Sequence, residues 1–139
     1  MQTCARAIMK RKPNIVGIDH VQLAAPTGSE EKAREFFGIL CGMKEIPKPV
    51  NLKKRGGVWF RAGSDQLHIG MEDPSRFRPN KKAHPAFEVR DLEEFRRLLA
   101  SRGVSTSMDE PLPGADRFYV EDPFGNRLEF IERRRKRGK

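Results

Sequence analysis

Apolar and polar positions fall into short blocks along this chain, and the blocks come twice in the same order. Residues 15–24 (IVGIDHVQLA) alternate with period two. That predicts a strand with Val21 and Leu23 on one face and Ile18, His20 and Gln22 on the other. Thr27, with Glu30 three positions on, predicts a capped helix start, and Ala33, Phe36, Phe37 and Leu40 follow at helical spacing up to Gly42. Residues 43–46 read as a short strand, and a loop carrying Lys48, Lys53, Lys54 and Arg55 follows. Residues 58–61 and 66–71 read as strands of a hairpin around Gly63, Ser64 and Asp65.

From residue 84 the order begins again. Residues 84–89 (HPAFEV) predict a strand, and Asp91 with Glu94 starts a helix whose Leu92, Phe95, Leu98 and Leu99 form one apolar stripe ending at Gly103. A short strand is expected at 104–108, then a Pro/Gly loop. Strands at 117–120 and 127–131 are joined by the turn cluster Asp122-Pro123-Phe124-Gly125-Asn126. The result is an α+β chain of two tandem βαβββ modules. A unit this short cannot bury its own sheet, so the two must share a core and frame a common cleft.

The chain has three histidines, His20, His68 and His84, each in one of these strand-like runs. In 66–71, Leu67, Ile69 and Met71 oppose Gln66, His68 and Gly70. In the last strand, Leu128 and Phe130 oppose Arg127, Glu129 and Ile131; in 84–89, Phe87 and Val89 oppose His84, Ala86 and Glu88. All four groups, His20, His68, His84 and Glu129, are thus expected on the cleft side. His84 follows His20 by 64 positions and Glu129 follows His68 by 61, which are equivalent places in the two modules. A single strand histidine reads as a surface or hydrogen-bonded residue. Four such groups together read as ligands for a divalent metal, with Zn, Fe, Mn, Ni and Co all compatible.

Composition changes this picture little. The length of 139 residues suits one compact domain, and no apolar run approaches the ~18 residues of a membrane span. The net charge of +9 belongs to the ends: residues 1–14 hold four basic and no acidic residues, and residues 133–139 hold six and none. Between them stand 18 basic and 19 acidic residues, so a nucleic-acid role is restricted to nonspecific contacts by the tails. The expected organisation is a basic extension at 1–14, one domain at 15–132 (modules at about 15–72 and 83–132) and a basic tail at 133–139. Cys4 and Cys41 have no metal or redox spacing, and the N-terminus lacks the apolar stretch of a secretory signal, so a reducing cytoplasm is expected. Glycine-rich phosphate loops, nucleophile elbows and CxxC motifs are absent.

IDHVQLA at 18–24, HPAFEVRDLEEF at 84–95 and FYVEDPFGNRLEF at 118–130 resemble the vicinal oxygen chelate superfamily. That group includes glyoxalase I, methylmalonyl-CoA epimerase, fosfomycin-resistance enzymes, extradiol dioxygenases and bleomycin-resistance proteins. The resemblance covers about residues 15–132 and implies paired βαβββ modules whose curved sheets share a cleft. It also implies a homodimer, and a small substrate chelated through adjacent oxygens to a metal on His20, His84 and Glu129. Lyase, isomerase, transferase or dioxygenase chemistry would follow. The alternative is a metal-free sequestering protein of the bleomycin-resistance type. His68 falls where glyoxalase I has a glutamate and the epimerase a glutamine, so it is expected as a fourth ligand or as an acid/base alongside Glu129. Arg117 and Tyr119 are expected to bind an anionic group of the substrate, with Gln22 and Arg61 as further candidates; the bland reading of Arg117 pairs it with Asp116 or Glu121.

Overall fold

The computed structural model describes residues 14–135, so Cys4 and most of both basic ends lie outside the described residues. The first module comprises β1 (His20–Pro26), helix α1 (Glu30–Ala33), β2 (Lys44–Ile46), β3 (Val58–Ala62) and β4 (Asp65–Glu72). Helix α1 continues through Arg34–Leu40 with wider turns, closed by Cys41 N–H donating to the Phe36 carbonyl five residues back. The second module comprises β5 (Ala86–Glu88), α2 (Leu92–Ser101), β6 (Ala115–Glu121) and β7 (Arg127–Arg133). The sheets run β1-β4-β3-β2 and β5-β7-β6. In both, the opening strand lies parallel to the closing strand, which is antiparallel to its hairpin neighbour.

One apolar cluster draws on both modules: Leu23, Phe37, Phe60 and Leu67 from the first, Leu99, Phe118 and Phe130 from the second. These are the residues that alternation and helical spacing assign to the inner faces. The shared core expected from the short repeat is therefore present, in an α+β fold.

Several boundaries differ from the sequence expectation, each for a tertiary reason. The strand expected from residue 15 begins at His20, because His20 pairs with Gln66 and β4 starts at Asp65. Upstream of Asp19 the sheet has no partner strand to offer, so Ile15, Val16 and Ile18 are exposed. At its other end β1 continues through Pro26, which is tolerated because β1 is an edge strand. The strand expected at 104–108 reduces to a single bridge between Ser107 and Tyr119. Val104 gives its N–H to the Leu99 carbonyl at the end of α2, and the following loop contains Pro111 and Pro113, which have no N–H to give. Strand β7 runs through Arg133, one residue into the expected tail, and Arg134 pairs with Asp116.

The expected capping boxes do not form either. Thr27 Oγ1 donates to the Glu72 carbonyl (3.2 Å), and the Glu30 carboxylate accepts the Gly57 N–H (2.9 Å), which holds its carboxyl below the usual range. Helix α2 starts at Asp91 in a left-handed conformation (φ 53°), and its cap comes from another element. Glu132, on the core side of β7, accepts the N–H groups of Asp91 and Leu92, both at 3.1 Å.

The β6–β7 turn ties the modules together. Asn126 is fully buried; its Nδ2 donates to the Ala24 carbonyl of β1 (2.8 Å) and to Asp122 (3.0 Å), and its Oδ1 accepts the Asn80 N–H (3.0 Å). Replacing Asn126 by Ala leaves the carbonyl of Ala24 and the N–H of Asn80 without these partners. Asn126→Ala should cost about 3 kcal/mol, and the melting temperature should fall by roughly 10 °C in a thermal scan. An unchanged melting temperature would mean that the turn does not join the modules.

Candidate functional site

Two polar clusters stand on the faces of the sheets opposite the core. In the second module, Glu129 of β7 lies between Ala86 of β5 and Tyr119 of β6 in the ladder. It is buried, at 6% exposure, and a carboxylate so placed needs compensating partners. Two are present: His84 Nε2 at 3.0 Å from Oε1, and Arg117 Nη1 at 3.6 Å from Oε2. His84 Nδ1 donates to the Lys82 carbonyl (2.9 Å), and the ring stands edge-on to Tyr119. Because a carbonyl only accepts, Nδ1 carries the proton. Nε2 then faces the carboxylate either with a second proton or with a lone pair that calls for a cation between the two.

Arg117 does not take the partners that the bland reading gives it. Asp116 is engaged by Arg134, and Glu121 by Lys81 at 3.0 Å. The Arg117 guanidinium instead donates to Tyr119 Oη and to the Glu110 carbonyl, both at 3.0 Å, beside Glu129. Its contacts make it a support for the carboxylate. Arg127, which sequence reasoning placed only on the Glu129 face, lays its guanidinium over the Tyr119 ring at 3.8 Å.

In the first module three rings stack. Trp59 lies parallel to His68 (3.7 Å between centroids, 2°), and His20 covers the other side (4.1 Å, 18°). The cause is register: Trp59 pairs with His68 across β3–β4, so their side chains share a face. Trp59 was missed as a site residue, although its alternation with Val58 and Phe60 in the predicted strand was the signal. His68 is buried, and its Nε2–H donates to Gln66 Oε1 (2.9 Å). Burial, then the neighbouring His20 and Lys48, push its pKa below the ordinary histidine value. His20 Nδ1 donates to Asp19 (2.8 Å), which orients the ring and leaves Nε2 for a ligand. Gln22 pairs with His68 in the β1–β4 register and lies across Gly70, where an added Cβ would stand 2.8 Å from its amide nitrogen. Arg61 is exposed, opposite Gln66 and Lys44.

The structure therefore brings His84 together with Glu129, and His20 together with His68. It does not gather all four. Among the described residues, no group of three or more His, Cys, Asp or Glu side chains stands close enough to hold a metal ion. The stacked pair adds a constraint. In-plane lone pairs of parallel imidazoles run side by side, so His20 and His68 in this arrangement cannot both point at one ion. The donor chemistry nonetheless suits a divalent metal: imidazoles anchored through their second nitrogens, and a buried carboxylate. Cys41 does not contribute, because burial pushes its thiol up to about 12.

Comparison with known proteins agrees with this architecture. A profile of the Glyoxalase/Bleomycin resistance protein/Dioxygenase superfamily matches residues 17–130. Among solved structures, a glyoxalase family protein from Bacillus anthracis is 52% identical, with a TM-score of 0.84 over 89% of this chain and 100% of that one. A lactoylglutathione lyase from Agrobacterium tumefaciens is 20% identical (TM-score 0.65; 86% of this chain, 96% of that one). The fosfomycin resistance protein FosX from Listeria monocytogenes, complexed with Mn(II) and 1S,2S-dihydroxypropylphosphonic acid, is 18% identical (TM-score 0.70; 85% of this chain, 92% of that one). The last two show the fold alone. No curated protein matches. The duplicated parallel pairing, the DPFGN turn and the profile match together make this chain a member of the glyoxalase/bleomycin resistance protein/dioxygenase superfamily.

Proposed function

We propose that the protein is a cytoplasmic metal-dependent enzyme that binds a small substrate through two adjacent oxygens on a divalent ion and moves a proton on it, as a lyase or isomerase does. His20, His84 and Glu129 hold the ion, and His68 stands beside it as the acid/base group. The observation that carries this reading is the His84–Glu129 contact: a fixed imidazole and a buried carboxylate face one another at 3.0 Å, and Lys82 holds the ring's other nitrogen. Because His20 and His84 stand in separate clusters, the shell is completed in a homodimer, where the first module of one protomer meets the second module of its partner. The Mn(II) and vicinal diol held by FosX fit the same mode of chelation.

A bound divalent ion would supply Lewis acidity, stabilising negative charge on a chelated substrate oxygen. The chain supplies the rest. Arg117 stands against Glu129 and orients its carboxylate, and Tyr119 fixes Arg117 and the edge of His84. His68 is kept neutral by burial, with its Nε2 proton on Gln66, so its other nitrogen is the one available to take a proton from substrate. Trp59 and His20 hold the ring in one plane and keep water from both of its faces.

Elemental analysis of protein purified without chelators should find one equivalent of divalent metal per protomer, and His84→Ala or Glu129→Gln should abolish it. Arg117→Gln should weaken metal affinity by about tenfold to hundredfold. His68→Ala should retain the metal and lose turnover. A wild-type protein that never binds metal, yet captures planar or cationic compounds, would establish the sequestering reading in its place.

His68 also sets a pH dependence. Its folded pKa lies below the unfolded value of about 6.5, so on acidification the unfolded chain takes up a proton that the native ring refuses. The stability of metal-free protein should therefore decline as pH falls below about 6.5. His68→Gln should flatten that part of the melting-temperature profile; an equal slope in wild type and variant would assign the effect elsewhere.

A further inference from the structure

Ile15, Val16 and Ile18 are exposed at 88%, 95% and 70%, three large apolar side chains within four positions. They stand just upstream of β1, where the sheet has ended because β4 begins at Asp65. A single exposed apolar residue is ordinary on a protein surface, but a run of three calls for an apolar neighbour. Ile15, Val16 and both basic ends also fall outside residues 17–130, the part matched to the superfamily.

The same end of the molecule carries the basic charge. Ile18 borders a cavity of about 770 Å³ together with Arg61, Asp65, Glu88 and Arg90. Arg90 adjoins the last residues of β7: Val89 donates its N–H to the Ile131 carbonyl (2.8 Å), and Glu132 accepts the Asp91 N–H (3.1 Å). The chain therefore enters β1 and leaves β7 at one end of the fold, beside Arg90, Arg61 and Lys44, the ladder partner of Arg61. Lys44, Arg61, Arg90, Arg133 and Arg135 are exposed, and none enters an ion pair among the described residues. Four basic residues precede Ile15 in the sequence and six follow Glu132, with no acid among them. Of the acids nearby, Asp19 is engaged by His20, Asp116 by Arg134, and Glu132 by the amides of α2. Asp65, Glu88, Asp91 and Glu94 are left against the whole basic set.

A nucleic acid would satisfy the charge and leave the apolar run in water. An anionic lipid surface satisfies both: its headgroups attract Lys and Arg, and its acyl boundary takes up branched apolar side chains. Either signal alone holds a protein on a bilayer only weakly, whereas the two together anchor it. We propose that this end of the molecule is a peripheral docking surface for anionic membrane lipid. Ile15, Val16 and Ile18 enter the boundary between headgroups and acyl chains, and the basic residues around them lie over the headgroups. The contact is with the membrane surface; among the described residues no helix is long and apolar enough to cross it. This inference goes beyond the metal-centre reading and does not rest on it.

The test is co-sedimentation of the full-length protein with vesicles of phosphatidylcholine, alone or with about one third phosphatidylserine. Wild type should sediment with the anionic vesicles and not with the neutral ones, and raising salt from about 0.1 to 0.5 M should release most of it. Ile15→Ser, Val16→Ser and Ile18→Ser combined should weaken vesicle binding at least about tenfold. Arg61→Gln with Arg90→Gln should weaken it about fivefold or more. Arg135→Gln, Lys136→Gln, Arg137→Gln and Lys139→Gln combined should weaken it further than that pair does. Lys53, Lys54 and Arg55 form an equally basic run beside the other end of β4, where Gly57 approaches Ile69. Lys53→Gln, Lys54→Gln and Arg55→Gln combined should leave binding within about twofold. No preference for anionic vesicles, binding that ignores the apolar variant, or an equal loss from the 53–55 variant would overturn the proposal. So would capture of a DNA duplex without vesicle binding, which would assign the charge to nucleic acid. A wild-type dimer that the apolar variant dissociates, again without vesicle binding, would assign the apolar run to an interface between copies and overturn it as well.

Discussion

The parallel pairing of each module's opening strand with its closing strand governs both the core and the site. Antiparallel neighbours can be joined by a tight turn, but β1 and β4, like β5 and β7, can pair only after the chain has crossed over through a helix. That crossover puts α1 and α2 on one face of the sheets and leaves the other for polar groups. It also sets neighbours. The β1–β4 register brings His20 against His68, and the approach of β5 to β7 brings His84 against Glu129. A one-residue slip in either pairing would send these groups into the apolar core.

The two clusters answer the cost of buried polarity in opposite ways. The first module meets it with stacked rings: Trp59, His68 and His20 lie face to face, and Gln66 accepts the buried His68 N–H. The second meets it with charge, since Glu129 lies among His84, Arg117 and, through Tyr119, Arg127. An unpaired carboxylate at that depth would cost several kcal/mol, so the supporting groups are part of the fold as well as of the site. Removing one of them strands the rest.

Strand parity was legible because it is local. The alternation in 66–71 and 127–131 gave the faces of His68 and Glu129 correctly, and the DPFGN cluster gave the turn that Asn126 fills. What the sequence could not give was set by distant partners. The start of β1 depends on where β4 runs out, at Asp65. Helix α2 is capped by Glu132, some forty positions away, and the Asp91–Glu94 spacing that suggested a local cap is not used for one. Residues 104–108 alternate like a strand, but Val104 is held by the helix end and Pro111 and Pro113 follow. Whether His20 and His84 meet within one chain, and which of Arg117 and Arg127 is free, are questions of three-dimensional neighbourhood that no spacing encodes.

The departures from exact repetition are where the chemistry concentrates. Histidine in the first closing strand corresponds to glutamate in the second, and tryptophan opposite the one corresponds to tyrosine opposite the other. A strand that covers the first sheet's edge corresponds to a single bridge and a cavity on the second. Two identical halves would present the same polar groups twice. Unequal halves offer a stacked aromatic surface on one side and a charged one, built on Glu129 and its partners, on the other.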